Sequence, residues 1–213
     1  MPEETVSVVE DLVRGVRYFR SHTFPKNREL YEGLAEKQRP HTLFLTCGDS
    51  RIDPSALTNT EPGQIFVERT PGNIVPIYSD AAAVGVSASI EYSVLVLGVS
   101  AIVVCGHSAC GAMKALLDPE ELHHAPATAR WLGYAKPAVG ILEAGYPQLE
   151  GAERLKRLCE LNLRIQMMNL YTHPVVESRL SQGRLEVHCW YYEIHAGRVE
   201  AYNPKTGEFE DLI

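Results

Sequence analysis

Two short apolar runs, HTLFLTC (His41 to Cys47) and AIVVC (Ala101 to Cys105), constrain the fold more than any other feature of this 213-residue sequence. Each has strand length, each is apolar with little interruption, and each stops at a glycine, Gly48 or Gly106, before the chain leads on toward helix. A strand with one wet face alternates apolar and polar residues. A strand that is apolar on both faces belongs in a parallel sheet covered by helices on each side. QIFVERT (Gln64 to Thr70), closed by Pro71-Gly72, supplies another strand.

The remaining pattern alternates around these strands. Val6 to Phe19 reads as an amphipathic helix, and Asn27 to Gln38 as a second, with Asn27 as cap and Pro40 closing it. Asp80 to Val99 has helical length, capped by Ser79 or Asp80. Pro119 to Gln148 mixes loop and helix in a segment rich in Ala, Gly and Pro. Gly151 to Tyr171 is a strong helix and Thr172 to Gln182 a short one. Arg184 to His195 alternates as a strand, and Val199 to Tyr202 pairs with it across Ala196-Gly197. The expectation is a single α/β domain over residues 1–213, with a central, mostly parallel sheet, an antiparallel edge strand and flanking helices. Within it, residues 1–40 form a helical arm, 41–118 the core that carries the chemistry, and 119–213 a helical region with closing strands.

Charge and cysteine content narrow the setting. Lys and Arg number 20 and Asp and Glu 27, a formal charge of −7, which argues against nucleic acid as the main partner because phosphate binding needs clustered cations. No stretch approaches the roughly 20 uninterrupted apolar residues of a membrane span, and the first residues do not read as a secretory signal. Five cysteines, an odd number at low density, fit reactive or metal-binding thiols in a reducing compartment. The expected location is the cytoplasm, or the interior of an organelle or microcompartment.

The chemistry concentrates at the ends of the two apolar strands. Cys47-Gly48-Asp49-Ser50-Arg51 follows the first and His107-Ser108-Ala109-Cys110-Gly111 the second. An open parallel sheet places its binding crevice there, beyond the carboxyl ends of its strands. Zinc takes cysteine sulfur and histidine nitrogen, and a catalytic zinc keeps a fourth position open. His107 and Cys110, three apart at a strand-to-helix junction, can reach one ion, and Cys47 can join them from the neighbouring strand. In an extended segment Cys47, Asp49 and Arg51 point the same way, so Arg51 can hold the Asp49 carboxylate in a two-pronged pair. Asp49 can then orient a zinc-bound water, or it can ligate the zinc itself and close the site. The sequence allows both.

C-x-D-S-R followed, 60 positions after its cysteine, by H-x-x-C-G resembles the signature of the β-class carbonic anhydrases. The resemblance extends to RTPGNIVP (Arg69 to Pro76), to SIEYSVLVLGVSAIVVCGHSACGAMKALL (Ser89 to Leu117) and, more loosely, to HCWYYEIHAGRVEAY (His188 to Tyr202). It implies a zinc lyase that hydrates CO2 reversibly to bicarbonate and a proton through zinc-bound hydroxide. One Zn2+ per chain would be held by Cys47, His107 and Cys110, with Asp49 and Arg51 as the assisting dyad. It implies that Gln38, Phe66 and Tyr92 line the substrate pocket, and that the Gly111 N–H lies near bicarbonate. It further implies a homodimer or dimer of dimers whose N-terminal helices pack on the partner subunit, which supplies Gln38. Two positions depart from relatives. Pro71 stands where plant-type members carry an aliphatic residue. Phe44 replaces the tryptophan that, with matches to Arg69 and Tyr192, holds a regulatory bicarbonate in closed-site members, and phenylalanine has no indole N–H to donate. The expectation is an open site without that regulation.

Plainer readings apply elsewhere. Cys105, Cys159 and Cys189 read as packing residues, and His188 and Cys189 as neighbours facing opposite sides of a strand. His123-His124 reads as solvated surface, and Arg154, Lys156, Arg157 and Arg164 as a solvated helix face. Gly106-His107-Ser108-Ala109-Cys110 approaches a nucleophile elbow, but its closing glycine falls one position late. A phosphatase loop fails because the positions six after Cys47 and Cys105 are Asp53 and Gly111, not arginine. The closest rival is a carbonyl sulfide or carbon disulfide hydrolase on the same fold; a non-catalytic bicarbonate-binding relative has no use for the intact dyad.

Overall fold

A computed structural model describes residues 7–79 and 84–213. The chain divides into two compact units, residues 1–38 and 39–213.

In the first unit, α1 (Val8–Tyr18) begins where the Ser7 N–H donates to the Glu10 carboxylate at 3.0 Å. Val8, Leu12 and Val16, spaced to share one face, are each more than three-fifths exposed. The helix runs on through a wider turn at Phe19–Thr23 and a last turn at Phe24–Lys26. Asn27 breaks the helical path with φ −117° and ψ 28°, and α2 (Arg28–Glu36) follows. Asn27 does not cap α2 with its side chain; its amide instead donates back to the Thr23 carbonyl at 3.0 Å. The helix ends at Glu36, two residues before the expected end, because Lys37 is already extended. Tyr31 packs between Phe19 and Phe24, at 5.4 and 5.6 Å between ring centroids. Val6 of the expected first helix lies outside the described residues.

The second unit is built on a six-stranded sheet in the order β2-β1-β3-β4-β5-β6. The strands are β1 (Thr42–Cys47), β2 (Ile65–Thr70), β3 (Ala101–His107), β4 (Glu186–Glu193), β5 (Arg198–Asn203) and β6 (Glu208–Asp211). The first four are parallel, and β5 and β6 add antiparallel. The antiparallel edge is thus two strands wide, one more than the sequence suggests. β3 also runs two residues past Cys105, through Gly106 to His107, because β4 pairs alongside it as far as Tyr192.

Alternation along β1 and β3 sends Leu43, Leu45, Cys47, Ile102 and Val104 into one core, and Phe44, Val103 and Cys105 into another with Ile52. Both faces are therefore dry, as the continuous apolar runs require. The helices of this unit are α3 (Pro54–Thr58), α4 (Val84–Glu91), α5 (Gly111–Leu117), α6 (Pro126–Leu132), α7 (Lys136–Gly145), α8 (Gly151–Tyr171) and α9 (Pro174–Ser181). α4 continues as a wider turn, Tyr92–Leu97, that stops at the left-handed Gly98. Asp80 to Ala83 of the expected helix lie outside the described residues.

α8 packs on β3 at backbone distance. A Cβ on Gly106 would stand 3.0 to 3.2 Å from three carbons of Leu163. Gly106→Ala is therefore expected to destabilise the protein by about 1–3 kcal/mol through overpacking. Urea denaturation reads this directly, and an unchanged midpoint would mean that Leu163 yields freely.

The basic face of α8 is more than solvated surface. Lys156 lies 3.3 Å from Glu200 on β5, and Arg157 lies 3.1 Å from Glu160 and 3.5 Å from Glu208 on β6. The Arg157 guanidinium also covers the Tyr146 ring at 4.9 Å, and that of Arg164 covers Tyr202 at 5.4 Å. These contacts tie the helix to the antiparallel edge of the sheet.

Candidate metal centre

The chain leaves β1 for β2 on one side and returns to β3 on the other, so the carboxyl ends of β1 and β3 flank a topological switch point. Cys47 is the last residue of β1 and His107 the last of β3. Cys110 caps the start of α5 after a two-residue turn. In that turn Ala109 takes a left-handed conformation with φ 52°, one that costs an L-residue roughly 1–2 kcal/mol. The turn is pinned to β4, since the Ser108 N–H donates to the Tyr192 carbonyl at 2.9 Å and Ser108 Oγ accepts the Ile194 N–H at 3.0 Å.

Cys47 Sγ, His107 and Cys110 Sγ offer three ligand atoms within 4.8 Å of one another, all from buried residues. The sulfurs are 4.0 Å apart, close to the roughly 3.8 Å that tetrahedral zinc with two thiolates requires. His107 Nδ1 lies 2.9 Å from the Ser108 carbonyl, which fixes that nitrogen as the donor and leaves Nε2 with a free lone pair. Nε2 is buried and has no hydrogen-bond partner among the described residues. A buried, orphaned imidazole nitrogen beside two thiols is costly unless a metal completes it, so these three residues fit zinc.

The thiols differ from the other cysteines. The S–H of Cys110 beside it, above all, holds the Cys47 thiol below the usual range, and the same sharing pushes Cys110 up. One of the pair is thus poised as a thiolate ready to take a metal. Burial pushes Cys159 and Cys189 up to about 12 and raises Cys105 as well. Those three behave as the packing residues expected of them. His188 is exposed and pairs with Glu186 at 3.3 Å while Cys189 is buried, and His123 sits on the surface 3.8 Å from Glu120.

Asp49 and Arg51 meet, though not by strand alternation. The chain turns directly after Gly48, with the Ile52 N–H donating to the Asp49 carbonyl at 3.3 Å. Asp49 Oδ1 accepts both the Arg51 backbone N–H and its Nε, each at 2.9 Å, and Oδ2 accepts Nη2 at 2.6 Å. The Arg51 guanidinium holds the Asp49 carboxyl well below the usual carboxylate range. Nη2 also donates to the Ala109 carbonyl at 3.0 Å, linking the loop after β1 to the loop after β3. Asp49 Oδ2 stands 3.8 Å from His107 Nε2, so the carboxylate borders the space into which the imidazole points.

Sequence reasoning missed the brace under this turn. The Arg69 guanidinium donates to the carbonyls of Cys47, Asp49 and Ile52 at 3.1, 2.6 and 2.8 Å. Asp53 closes the far end by capping α3, accepting from the N–H groups of Ser55 and Ala56. Phe44, where a tryptophan would donate, is buried edge-on against Trp190 at 6.1 Å. Phe66 and Tyr92 lie together with ring centroids 6.0 Å apart, Tyr92 half-exposed. Gly111 is the first residue of α5, next to Cys110, and Gln38 belongs to the unit formed by residues 1–38.

The carbonic anhydrase family model matches residues 42–199. A carbonic anhydrase of Pseudomonas aeruginosa is 43% identical over 204 residues, covering 96% of this chain and 92% of that protein. Carbonic anhydrase 1 of Escherichia coli O157:H7 is 41% identical, with the same coverage. The solved structure of the β-carbonic anhydrase CcaA superposes with a TM-score of 0.93 at 38% identity, covering 96% of this chain and all of that one. The tetrameric β-carbonic anhydrases of Sordaria macrospora superpose with a TM-score of 0.81 at 27% identity, covering 91% of this chain and 95% of that one. The chain belongs to the β-carbonic anhydrase family.

Proposed function

We propose that the protein hydrates CO2 reversibly to bicarbonate and a proton, with one zinc ion per chain held by Cys47, His107 and Cys110. The observation that carries this reading is the orphaned His107 Nε2 among two buried thiols, in a chain whose relatives are named carbonic anhydrases. When bound, zinc supplies a Lewis acid that makes water acidic enough to act as a nucleophile near neutral pH.

The chain's residues do the rest. Arg51 fixes both oxygens of Asp49, so the carboxylate stays ionised and can only accept a hydrogen bond. An acceptor aimed into the same space as His107 Nε2 holds an attacking water with its proton pointed away from the substrate. Because Asp49 is engaged by Arg51, we assign the site as open. Phe44 and the carbonyl-bound Arg69 support a site without bicarbonate regulation. Phe66 and Tyr92 offer the apolar wall that CO2 requires, and the Gly111 N–H a donor for bicarbonate.

We further infer a homodimer or dimer of dimers whose N-terminal helices pack on the partner subunit, supported by the exposed Val8, Leu12 and Val16 stripe. In such an assembly Gln38 reaches the partner's pocket. Gln38→Ala is expected to lower kcat/KM about tenfold, the effect of one lost substrate hydrogen bond, and a fully active monomer in sedimentation would refute the assignment. Five free, buried cysteines support a reducing location, the cytoplasm or the interior of an organelle or microcompartment.

Stopped-flow CO2 hydration, with zinc measured on the same sample, tests the activity. Fast turnover at about one zinc per chain is expected. Zinc without CO2 turnover, together with hydrolysis of carbonyl sulfide or carbon disulfide, would give the site to that reaction instead.

A further inference from the structure

The segment after β2, residues 72–76, is buried, although only its first two residues belong to a regular turn, Pro71–Asn73. Its backbone groups are met by a row of side chains on α8. Asn162 Nδ2 donates to the Gly72 carbonyl at 3.0 Å, Gln166 Oε1 accepts the Val75 N–H at 2.8 Å, and Asn169 Nδ2 donates to the Val75 carbonyl at 2.9 Å. Gln166 Nε2 donates to Asn162 Oδ1 at 2.8 Å and joins the row into one network. Positions 162, 166 and 169 share one helix face. Asn162 and Gln166 are fully buried, so the row serves the segment beneath it and not solvent.

Satisfying a buried backbone accounts for this row, and its first member holds the residue that also reaches the candidate metal site. The Gly72 N–H donates to Cys47 Sγ at 3.4 Å. The carbonyl of that same peptide unit is the Pro71 carbonyl, and it accepts Trp131 Nε1 at 3.0 Å. The following carbonyl is the one held by Asn162. Gly72 is thus flanked by two held carbonyls, its own peptide's gripped from α6 and the next one from α8, with its N–H directed at the sulfur. Glycine suits the position. Gly72 has φ +74°, and a Cβ there would lie 2.9 Å from Met113 Cε and 3.2 Å from Ala112 Cβ. A donor bonded at its carbonyl end polarises the peptide and strengthens the N–H as a donor.

We propose that Trp131 and Asn162 are positioning residues for the metal centre, aiming one backbone N–H at the Cys47 sulfur and so setting how strongly that sulfur binds and donates to the metal. The inference rests on Cys47 being a zinc ligand. Its first consequence concerns affinity, because outer groups that orient a ligand typically change metal affinity by 10–100-fold. Its second concerns the sulfur electrons, which an N–H donor stabilises and its loss releases.

The test uses cobalt(II) in place of zinc, where the sulfur-to-metal charge-transfer band reports the sulfur directly. Trp131→Phe keeps the ring and removes the indole N–H; Asn162→Ala removes the second grip. Asn169→Ala serves as comparison, because it takes an equivalent amide from the same row, one that holds the Val75 carbonyl and touches neither carbonyl flanking the Gly72 N–H. In Trp131→Phe and Asn162→Ala the band is expected to move to longer wavelength. Zinc affinity, read by chelator competition, is expected to fall about tenfold. Asn169→Ala is expected to lower stability while leaving band and affinity alone. Trp131→Phe keeps the test decidable should Asn162→Ala fail to fold. An unmoved band in Trp131→Phe, or an equal shift in Asn169→Ala, overturns the proposal while leaving the zinc reading intact. A wild-type protein without any thiolate-to-cobalt band overturns both.

Discussion

Purified His107→Ala is expected to hold less than about a tenth of the wild-type zinc and to lose CO2 hydration by about a thousandfold or more, since no other group in the site makes water nucleophilic at neutral pH. The argument starts from donors. Removing the imidazole leaves two thiols 4.0 Å apart, and two protein ligands do not supply the coordination that retains zinc. The tautomer-fixing contact to the Ser108 carbonyl goes with it. Zinc that binds only the folded state also stabilises it, so added zinc is expected to raise the melting temperature of wild type and not that of the variant. Cys110→Ala should behave alike. Cys189→Ala is the control, because its thiol is buried packing on β4 and full zinc is expected. Elemental analysis decides the matter, and near-stoichiometric zinc in His107→Ala would remove that residue from the ligand set.

The fold was legible wherever burial on both faces leaves a composition signature. β1 and β3 are apolar because helices cover them on each side, and that is visible in HTLFLTC and AIVVC without any structure. β6 has no such signature. EFED contains one apolar residue and is a strand because Tyr202 and Phe209 pair across from β5, a tertiary fact. The two extra residues of β3 were hidden for the same reason, since Gly106 looks like a terminator until β4 is placed beside it. The stretch from Pro119 to Gln148 resolves into α6 and α7, which its small residues did not separate.

At the site, the Cys47, His107 and Cys110 cluster was legible because metal chemistry demands particular atoms at particular spacings. The dyad was legible in membership but not in cause. Asp49 and Arg51 meet through a turn in which the carboxylate accepts the backbone N–H two residues on, and not through side-chain alternation. What stayed hidden shares one property: Arg69 bonds to carbonyl groups of the loop after β1, and Asn162 and Trp131 to carbonyls of the Pro71–Gly72 segment beside Cys47. Every residue has a carbonyl, so no residue pattern marks such a partner. The acidic partners of Lys156 and Arg157 on β5 and β6 were invisible for a related reason, since those strands come some 40 to 50 positions later in the chain.

Asp49→Ala is expected to separate zinc binding from turnover. Asp49 accepts three hydrogen bonds from Arg51, which orient the remaining lone pair of Oδ2 beside His107 Nε2, and the proposed open site uses that lone pair to hold water and not the metal. Zinc content should then stay near one per chain while kcat falls by about a hundredfold or more, the usual effect of losing a positioned proton acceptor. Arg51→Lys refines the point. Lysine keeps the charge but has no planar fork, so it loses the paired contact to Asp49 and the link to the Ala109 carbonyl, and an intermediate kcat is expected with unchanged zinc. If Asp49→Ala instead released zinc, the carboxylate would be a fourth ligand and the site would be closed. If zinc and kcat both stayed at wild-type values, Asp49 would be a structural anchor for its loop. The ordering wild type, Arg51→Lys, Asp49→Ala in kcat, at constant zinc, is the result that the open site requires, because the acceptor acts through its orientation and Arg51 is what supplies that orientation.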